Sequence, residues 1–182
     1  ENGKDIYFPY TKRGYKTGKR KNKKALQGEL MLKERDVPLL SMITRLVPGK
    51  GVDLVIRIIE ELLSEDIQFI ILGVGDKEYE EYFKALEERY ANFRAIIKFD
   101  RAVSKKIYAA SDIFVMPSKS EPCGLAQMIA TSYGAVPVVR AVGGLYDSIK
   151  PYGTTGANGF TFDNYNAHEL LYTIKKALSV YA

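Results

Sequence analysis

Residues 111–134 read Ser-Asp-Ile-Phe-Val-Met-Pro-Ser-Lys-Ser-Glu-Pro-Cys-Gly-Leu-Ala-Gln-Met-Ile-Ala-Thr-Ser-Tyr-Gly, and this stretch indicates the fold. Its apolar run from Ile113 to Met116 is short enough to be a buried strand. Apolar residues then recur at helical spacing from Pro122 to about Tyr133, and proline suits the first turn of a helix, where its missing N–H costs nothing. A strand that leads through a polar loop into a helix is the repeating unit of a parallel α/β sheet.

The same unit recurs along the chain from Pro38 onward. Ser104 and Asn166 are the expected N-caps of two of its helices, and Gly143-Gly144 is expected to open a turn. Strands that alternate with helices imply right-handed crossovers and therefore a Rossmann-like, doubly wound parallel sheet covered on both faces. We predict strands at residues 39–44, 67–72, 94–99, 113–116, 135–139 and 159–162, and helices at 24–33, 52–63, 77–90, 104–110, 122–133 and 167–181.

The composition is that of a single globular domain. Hydrophobic residues make up 46% and charged residues 27% of the 182 positions, as is usual for this class. No apolar run approaches the ~20 residues that a membrane span needs, so we predict no membrane partner. One cysteine, Cys123, and one histidine, His168, argue against a disulfide framework and against a structural zinc site.

Positive charge is concentrated in the first 28 residues, which carry nine basic and two acidic side chains, whereas the rest carries 18 basic and 20 acidic ones. A basic run interleaved with aromatic residues can bind nucleic acid or an anionic polymer. No nucleic-acid module follows it, so we favour a solvated connecting segment and predict no nucleic-acid partner. The predicted organisation is a basic linker or leader at residues 1–28 and one domain at residues 29–182.

The loops after the first five strands meet at one edge of such a sheet, where open α/β folds bind ligands. Arg45 and Lys50 flank Pro48-Gly49, so both cations can hold one diphosphate, although solvated surface cations are the alternative. Glu121 follows the fourth strand, either as an active-site carboxylate or as a charge stabilised by the helix dipole.

The predicted helix after Glu121 offers free backbone N–H groups at its start, which is a place for phosphate oxygens. Cys123 supplies one of them, and we interpret its thiol as a packing group because no histidine lies nearby in sequence. Gly73 and Gly75 follow the second strand and are interpreted as a tight turn rather than a dinucleotide fingerprint. The proposed N–H donors are those of Cys123, Gly124 and Leu125.

Four segments of the chain form a distinctive set of motifs: Thr44-Arg-Leu-Val-Pro-Gly-Lys-Gly-Val-Asp-Leu54, Pro117-Ser-Lys-Ser-Glu-Pro-Cys-Gly-Leu-Ala-Gln127, Tyr133-Gly-Ala-Val-Pro-Val-Val-Arg140 and Val142-Gly-Gly-Leu-Tyr-Asp147. On these segments the chain resembles bacterial glycogen synthases and plant starch synthases, the retaining GT-B glucosyltransferases of family GT5. The opening Asn2-Gly3 and the segments 23–27 and 159–162 also fit, so the resemblance covers nearly the whole chain.

The resemblance implies roles for these residues. Arg45 and Lys50 would hold the nucleotide-sugar diphosphate, and Glu121 would be the acidic residue against the donor glucose. Phe99 occupies the position of an aromatic that lies by the adenine, although the following Asp100-Arg101 departs from the expected polar residues. The remaining binding residues are the backbone N–H groups of Cys123, Gly124 and Leu125 and the phosphate-lining Gly143 and Gly144. Neither a metal nor another cofactor is expected.

The implied function is transfer of glucose from ADP-glucose to the non-reducing end of an α-1,4-glucan such as glycogen or starch, with retention. The Lys-x-Gly-Gly-Leu motif of the family lies in an N-terminal domain that we expect to be missing, so the 182-residue half should fold and bind ADP weakly without turnover. Localisation would be the bacterial cytoplasm, or the plastid in a plant. Two alternatives stay open: a retaining GT-B half with another acceptor, such as sucrose or a lipid, and a non-catalytic nucleotide- or glucan-binding module.

Overall fold

Six parallel strands form one sheet in the computed structural model, which describes residues 5–181. Residues 1–4, including the Asn2-Gly3 of the resemblance, and Ala182 lie outside the described residues. A short 3-10 turn at Lys12–Gly14 precedes the first helix. The elements are α1 (Tyr15–Glu29), β1 (Leu39–Ile43), α2 (Val52–Leu63), β2 (Gln68–Leu72), α3 (Lys77–Arg89), β3 (Phe93–Ile96), α4 (Arg101–Ala110), β4 (Ile113–Met116), α5 (Ala126–Ser132), β5 (Val136–Arg140), α6 (Gly143–Ser148), β6 (Phe160–Phe162) and α7 (Ala167–Tyr181).

The strand order is β3-β2-β1-β4-β5-β6, and every neighbouring pair is parallel. The chain builds outward from β1 to β3 and then crosses over to β4, so the order reverses between β1 and β4. This confirms the predicted doubly wound sheet. The crevice at the carboxyl ends of β1 and β4 is the switch point at which such sheets bind ligands.

Both faces of the sheet are buried, which explains why its strands are nearly continuous apolar runs. Successive strand residues point to opposite faces: Leu40 and Met42 join the cluster that contains α2 and α7, whereas Leu39 packs with Leu26 of α1 and Ile107 of α4. Helices on both sides therefore hold the strands, and the carboxyl-end loops rest on a rigid layer.

The helix α1 differs from the sequence-based prediction, which placed a helix at 24–33 and treated residues 1–28 as a solvated segment. That prediction is wrong for residues 15–28, because Lys19, Lys23 and Leu26 are buried against the domain. Lys19 Nζ donates to the Tyr133 carbonyl at 3.0 Å, and Lys23 Nζ pairs with Asp112 at 2.7 Å. A lysine can bury its apolar stem while its ammonium binds acceptors. The basic pattern of residues 15–28 therefore did not reveal that one face of this helix is buried.

Two helix starts also differ from the prediction. Asp100, not Ser104, caps α4, since its carboxylate accepts from the Val103 N–H at 3.0 Å. The helix α5 begins at Ala126 rather than at Pro122, because Gly124 has a φ of +67° and a left-handed residue interrupts helical geometry.

Other boundaries agree with the prediction or shift slightly. Asn166 caps α7 as predicted, its side-chain oxygen accepting from two backbone N–H groups of the first turn. The third strand ends at Ile96, which leaves Phe99 in a loop, and the predicted turn after Gly143 is the short helix α6. Within residues 5–181, no helix combines the length and apolar character needed to cross a membrane.

Candidate functional site

Glycines allow the loops after β1, β4 and β5 to touch one another. A Cβ on Gly51 would lie 2.3 Å from the carbonyl oxygen of Pro117, and one on Gly144 would lie 1.8 Å from that of Cys123. The Gly144 N–H donates to the Glu121 carbonyl oxygen at 2.9 Å. Larger residues would force the loops apart, so these glycines determine the shape of the site's backbone.

The loop after β2 is packed against the loop after β1 in the same way. Cβ atoms on Gly73 and Gly75 would lie 1.9 and 2.0 Å from the carbonyl oxygens of Thr44 and Leu46. The Leu46 N–H donates to Val74 at 2.8 Å. This supports the interpretation of Gly73 and Gly75 as a tight turn, and it extends the β1–β2 contact beyond the strands.

An ion pair joins the two sides of the switch-point crevice. The Lys50 ammonium lies 2.7 Å from the Glu121 carboxylate, and the two side chains are 22% and 13% exposed. The Ser118 hydroxyl is 3.3 Å from the same carboxylate oxygen. Because Lys50 precedes α2 and Glu121 follows β4, the fold brings together a cation and an acid that are 71 residues apart in sequence. Such an ammonium can exchange its carboxylate partner for the oxygens of an anionic ligand.

Arg45 and Phe99 lie in a neighbouring cleft rather than on this ion pair. The cleft has a volume of about 300 Å³, and its other lining residues include Gly73, Val74 and Ile129. The Phe99 ring is 80% exposed, so one face is available for a flat apolar group. The structure thus divides the predicted site into an ion-pair part and an aromatic part, and Arg45 belongs to the second.

The predicted N–H donors lie in a loop and not in the first turn of a helix. Gly124 has left-handed backbone angles and Leu125 is only the N-cap of the seven-residue α5, so the helix dipole acts on Cys123 and Gly124 less directly than predicted. The Cys123 side chain is exposed, which corrects its interpretation as a packing group. A Cβ on Gly143 would lie 2.4 Å from the Glu121 carbonyl oxygen, so Gly143 contacts this loop as Gly144 does.

Gln127 supports this loop from below, and sequence reasoning did not find it. It is fully buried, and its amide nitrogen donates to the Gly124 carbonyl at 2.9 Å and to the Ser148 hydroxyl at 3.0 Å. It links the loop after β4 to α6. The available signal was a polar residue at a position of the short helix where an apolar one is expected. A buried amide requires hydrogen-bond partners, so such a residue indicates a structural link.

A second supporting group, also missed from sequence, is centred on Tyr165. Its hydroxyl donates to the Asp53 carboxylate at 2.5 Å, and burial together with that carboxylate raises the Tyr165 pKa above its ordinary value. The Lys119 ammonium and the Arg140 guanidinium each lie 5.8 Å from its ring centre. Arg140 also donates to the Lys119 carbonyl at 2.6 Å. Tyr165 and Arg140 therefore connect the start of α2 to the loop that carries Glu121.

Comparison with known proteins gives consistent results. Residues 29–181 match the model of the family Glycosyl transferases group 1. The glycogen synthase of Bacillus subtilis is 51% identical over 95% of this chain and 38% of its own length, and that of Bacillus licheniformis is 53% identical over 90% and 35%. The catalytic domain of starch synthase IV from Arabidopsis thaliana, solved with ADP and acarbose, superposes with a TM-score of 0.91 at 36% identity, covering 98% of this chain and 38% of that one. The chain thus spans little more than a third of the length of these relatives.

Proposed function

The chain belongs to the Glycosyl transferases group 1 family, and from that premise we propose that it is the nucleotide-sugar-binding half of a glycogen synthase. The proposed reaction transfers glucose from ADP-glucose to the non-reducing end of an α-1,4-glucan, with retention at the transferred carbon. In this proposal α1 belongs to this half together with the sheet, because its inner face is buried against the domain, and an N-terminal domain of the same enzyme supplies the opposite wall of the cleft. The bacterial relatives share more sequence than the plant one, which favours the bacterial cytoplasm over a plastid.

The observation that carries the proposal is the ion pair of Lys50 and Glu121 at the switch-point crevice. When the donor binds, the Lys50 ammonium moves its bonds to the diphosphate and stabilises the negative charge that develops on the leaving group. Glu121 is left facing the transferred glucose. A carboxylate beside a departing diphosphate suits a reaction in which positive charge develops on the sugar.

The neighbouring aromatic part suits the nucleoside end of the donor. Phe99 offers an exposed ring to the base, and Arg45 adds a second cation that lines the same cleft. Because Arg45 and Lys50 leave the same loop, both can reach one diphosphate. ADP in the starch synthase IV structure supports adenine as the base and ADP-glucose as the donor.

The backbone completes the proposed donor site. Cys123, Gly124 and Leu125 present N–H groups to the sugar and the distal phosphate, and Gly143 and Gly144 bring the loop after β5 close to the phosphates. Cations and amides together would neutralise the leaving group, a task that a divalent metal performs in other enzymes.

Calorimetry with ADP tests the proposal on the 182-residue chain. Weak binding, in the range of about 0.1–1 mM, is expected together with no glucosyl transfer, because the 182 residues span little more than a third of the length of the glycogen synthase relatives. A chain that is folded by circular dichroism and yet binds no ADP would refute the donor site. In the full-length enzyme, Lys50→Ala should lower turnover on a glycogen primer by about 100-fold. Parallel assays with UDP-glucose would show which nucleotide sugar is preferred.

A further inference from the structure

A groove on the outer edge of β6 lies apart from the site described above. It has a volume of about 450 Å³ and runs between β6 and α7, which is within the range of small-molecule sites. Two strands, β5 and β6, lie beyond β4 on this side of the sheet, so the groove is separated from the switch-point crevice. The residues used below are Tyr152, Thr161, Asp163, His168, Tyr172 and Lys176.

Two tyrosines give the groove exposed aromatic surface. Tyr172 is 71% exposed, and Tyr152 is 48% exposed. The Tyr152 ring is stacked on Phe160, with ring centres 4.9 Å apart and planes 15° apart, and this contact holds it in place. The Lys176 ammonium lies 5.7 Å from the Tyr152 ring centre, at the end of a flexible stem that can turn toward a ligand.

Backbone groups add fixed polar atoms between the tyrosines. The Phe162 carbonyl accepts from the Ala141 N–H, so Phe160 and Phe162 direct their backbone groups toward β5. In a parallel ladder the intervening residue faces the other way. Thr161 therefore presents its N–H and C=O to the groove, because β6 is the edge strand of the sheet among the described residues and its outer edge is bridged by Pro151 at Gly159, before Thr161.

The charges in the groove favour a neutral ligand. Asp163 and Glu169 lie there with His168 and Lys176, so neither sign dominates and a phosphate would meet two carboxylates. Carboxylate, imidazole, hydroxyl and ammonium groups can instead hydrogen-bond to several hydroxyls at once. The combination of exposed aromatic faces with dispersed donors and acceptors matches a sugar ring, which has an apolar C–H face and a rim of hydroxyls.

We propose that this groove is a second carbohydrate-binding site, which holds a segment of α-1,4-glucan away from the catalytic crevice. The choice of α-glucan rests on the proposed function, whereas the sugar chemistry rests on the groove itself. Tyr172 supplies the principal stacking face, Tyr152 bounds one end, and Thr161 and Asp163 bind hydroxyls. A bound polymer would stay attached to the enzyme while its end is extended elsewhere on the same protein.

The test is an NMR titration of the isotope-labelled chain with maltohexaose, followed through the backbone amides of β6 and α7. Saturable shifts at Tyr152, Thr161 and Tyr172 are expected. Tyr172→Ala should weaken this binding by tenfold or more, and Tyr172→Phe should restore it because phenylalanine keeps the stacking face. Tyr146→Ala is the matched control, since Tyr146 is 70% exposed on α6 and should leave the β6 shifts unchanged.

Several results would overturn the proposal. A sugar site in the groove would be excluded if maltohexaose shifted no amide signals of β6 and α7, or if it shifted them equally in Tyr172→Ala. It would also be excluded if only an extended peptide, and not maltohexaose, shifted these signals. Maltohexaose binding that falls steeply with salt would point to charge rather than to stacking. ADP calorimetry separates the sugar groove from the proposed donor site. A Tyr172→Ala protein that binds ADP normally but has lost maltohexaose binding would support the groove. A parent chain that does not bind ADP would count against the donor site alone.

Discussion

Replacing Glu121 by glutamine should make the chain bind ADP more tightly, although Glu121 is proposed to act in the reaction. The Lys50 ammonium is held by the Glu121 carboxylate at 2.7 Å. A diphosphate must take this ammonium from the carboxylate before it can be bound. Glu121→Gln removes the competing charge and leaves a side chain of nearly the same shape.

The size of the effect follows from the burial of the pair. Exposed ion pairs contribute about 0–1 kcal/mol, and breaking a fully buried pair costs about 3–5 kcal/mol. Side chains that are 22% and 13% exposed lie between these limits, so we take about 1.5 kcal/mol as the cost of releasing Lys50. That energy corresponds to about tenfold tighter ADP binding in Glu121→Gln.

The assay is a double-mutant cycle in calorimetry, with the parent chain, Glu121→Gln, Lys50→Met and the double variant. Lys50→Met should bind ADP about tenfold more weakly or worse, since it loses one charge-assisted contact. The gain from Glu121→Gln should disappear in the Lys50→Met background, because no ammonium remains to be released. A gain that survives without Lys50, or an unchanged affinity in Glu121→Gln, would refute the idea that the two ligands compete for one cation.

Three further predictions address the supports of the site. Tyr165→Phe removes the hydrogen bond to Asp53 and should lower the free energy of unfolding by about 1–2 kcal/mol in urea titrations. ADP binding should also weaken. An unchanged free energy of unfolding and an unchanged ADP affinity would show that the bond is not structural. Gly144→Ala places a Cβ 1.8 Å from the Cys123 carbonyl oxygen, so it should destabilise the chain by about 1–3 kcal/mol and abolish ADP binding; normal ADP binding would contradict the close loop contact. Burial lowers the pKa of Lys19 to about 8. Above that pH the unfolded chain binds more protons than the folded chain, so the free energy of unfolding should rise by about 1–2 kcal/mol from pH 7.5 to 9.5. Lys19→Met should remove this rise, and a parent chain without any rise would show that the buried ammonium keeps its ordinary pKa.

The fold could be predicted from the sequence because its signals are local. The apolar runs of β1 and β4 and the 3.6-residue spacing of α2 each lie within a dozen residues, and burial on one or both faces leaves such periods in any chain that forms these elements. The alternation of strand and helix then requires right-handed crossovers and a parallel sheet. The rim at which Lys50 and Glu121 meet followed from the same topology.

Tertiary structure alone decided which side chains meet at that rim. Lys50 and Glu121 are 71 residues apart, and Tyr165 reaches Asp53 across 112 residues, so no local pattern relates them. The burial of Lys19 in α1 depended on carbonyl acceptors at the distant ends of α4 and α5. Periodicity reports which face of an element is apolar, whereas the partner of a polar group depends on how remote loops pack, and that is determined only when the whole chain has folded.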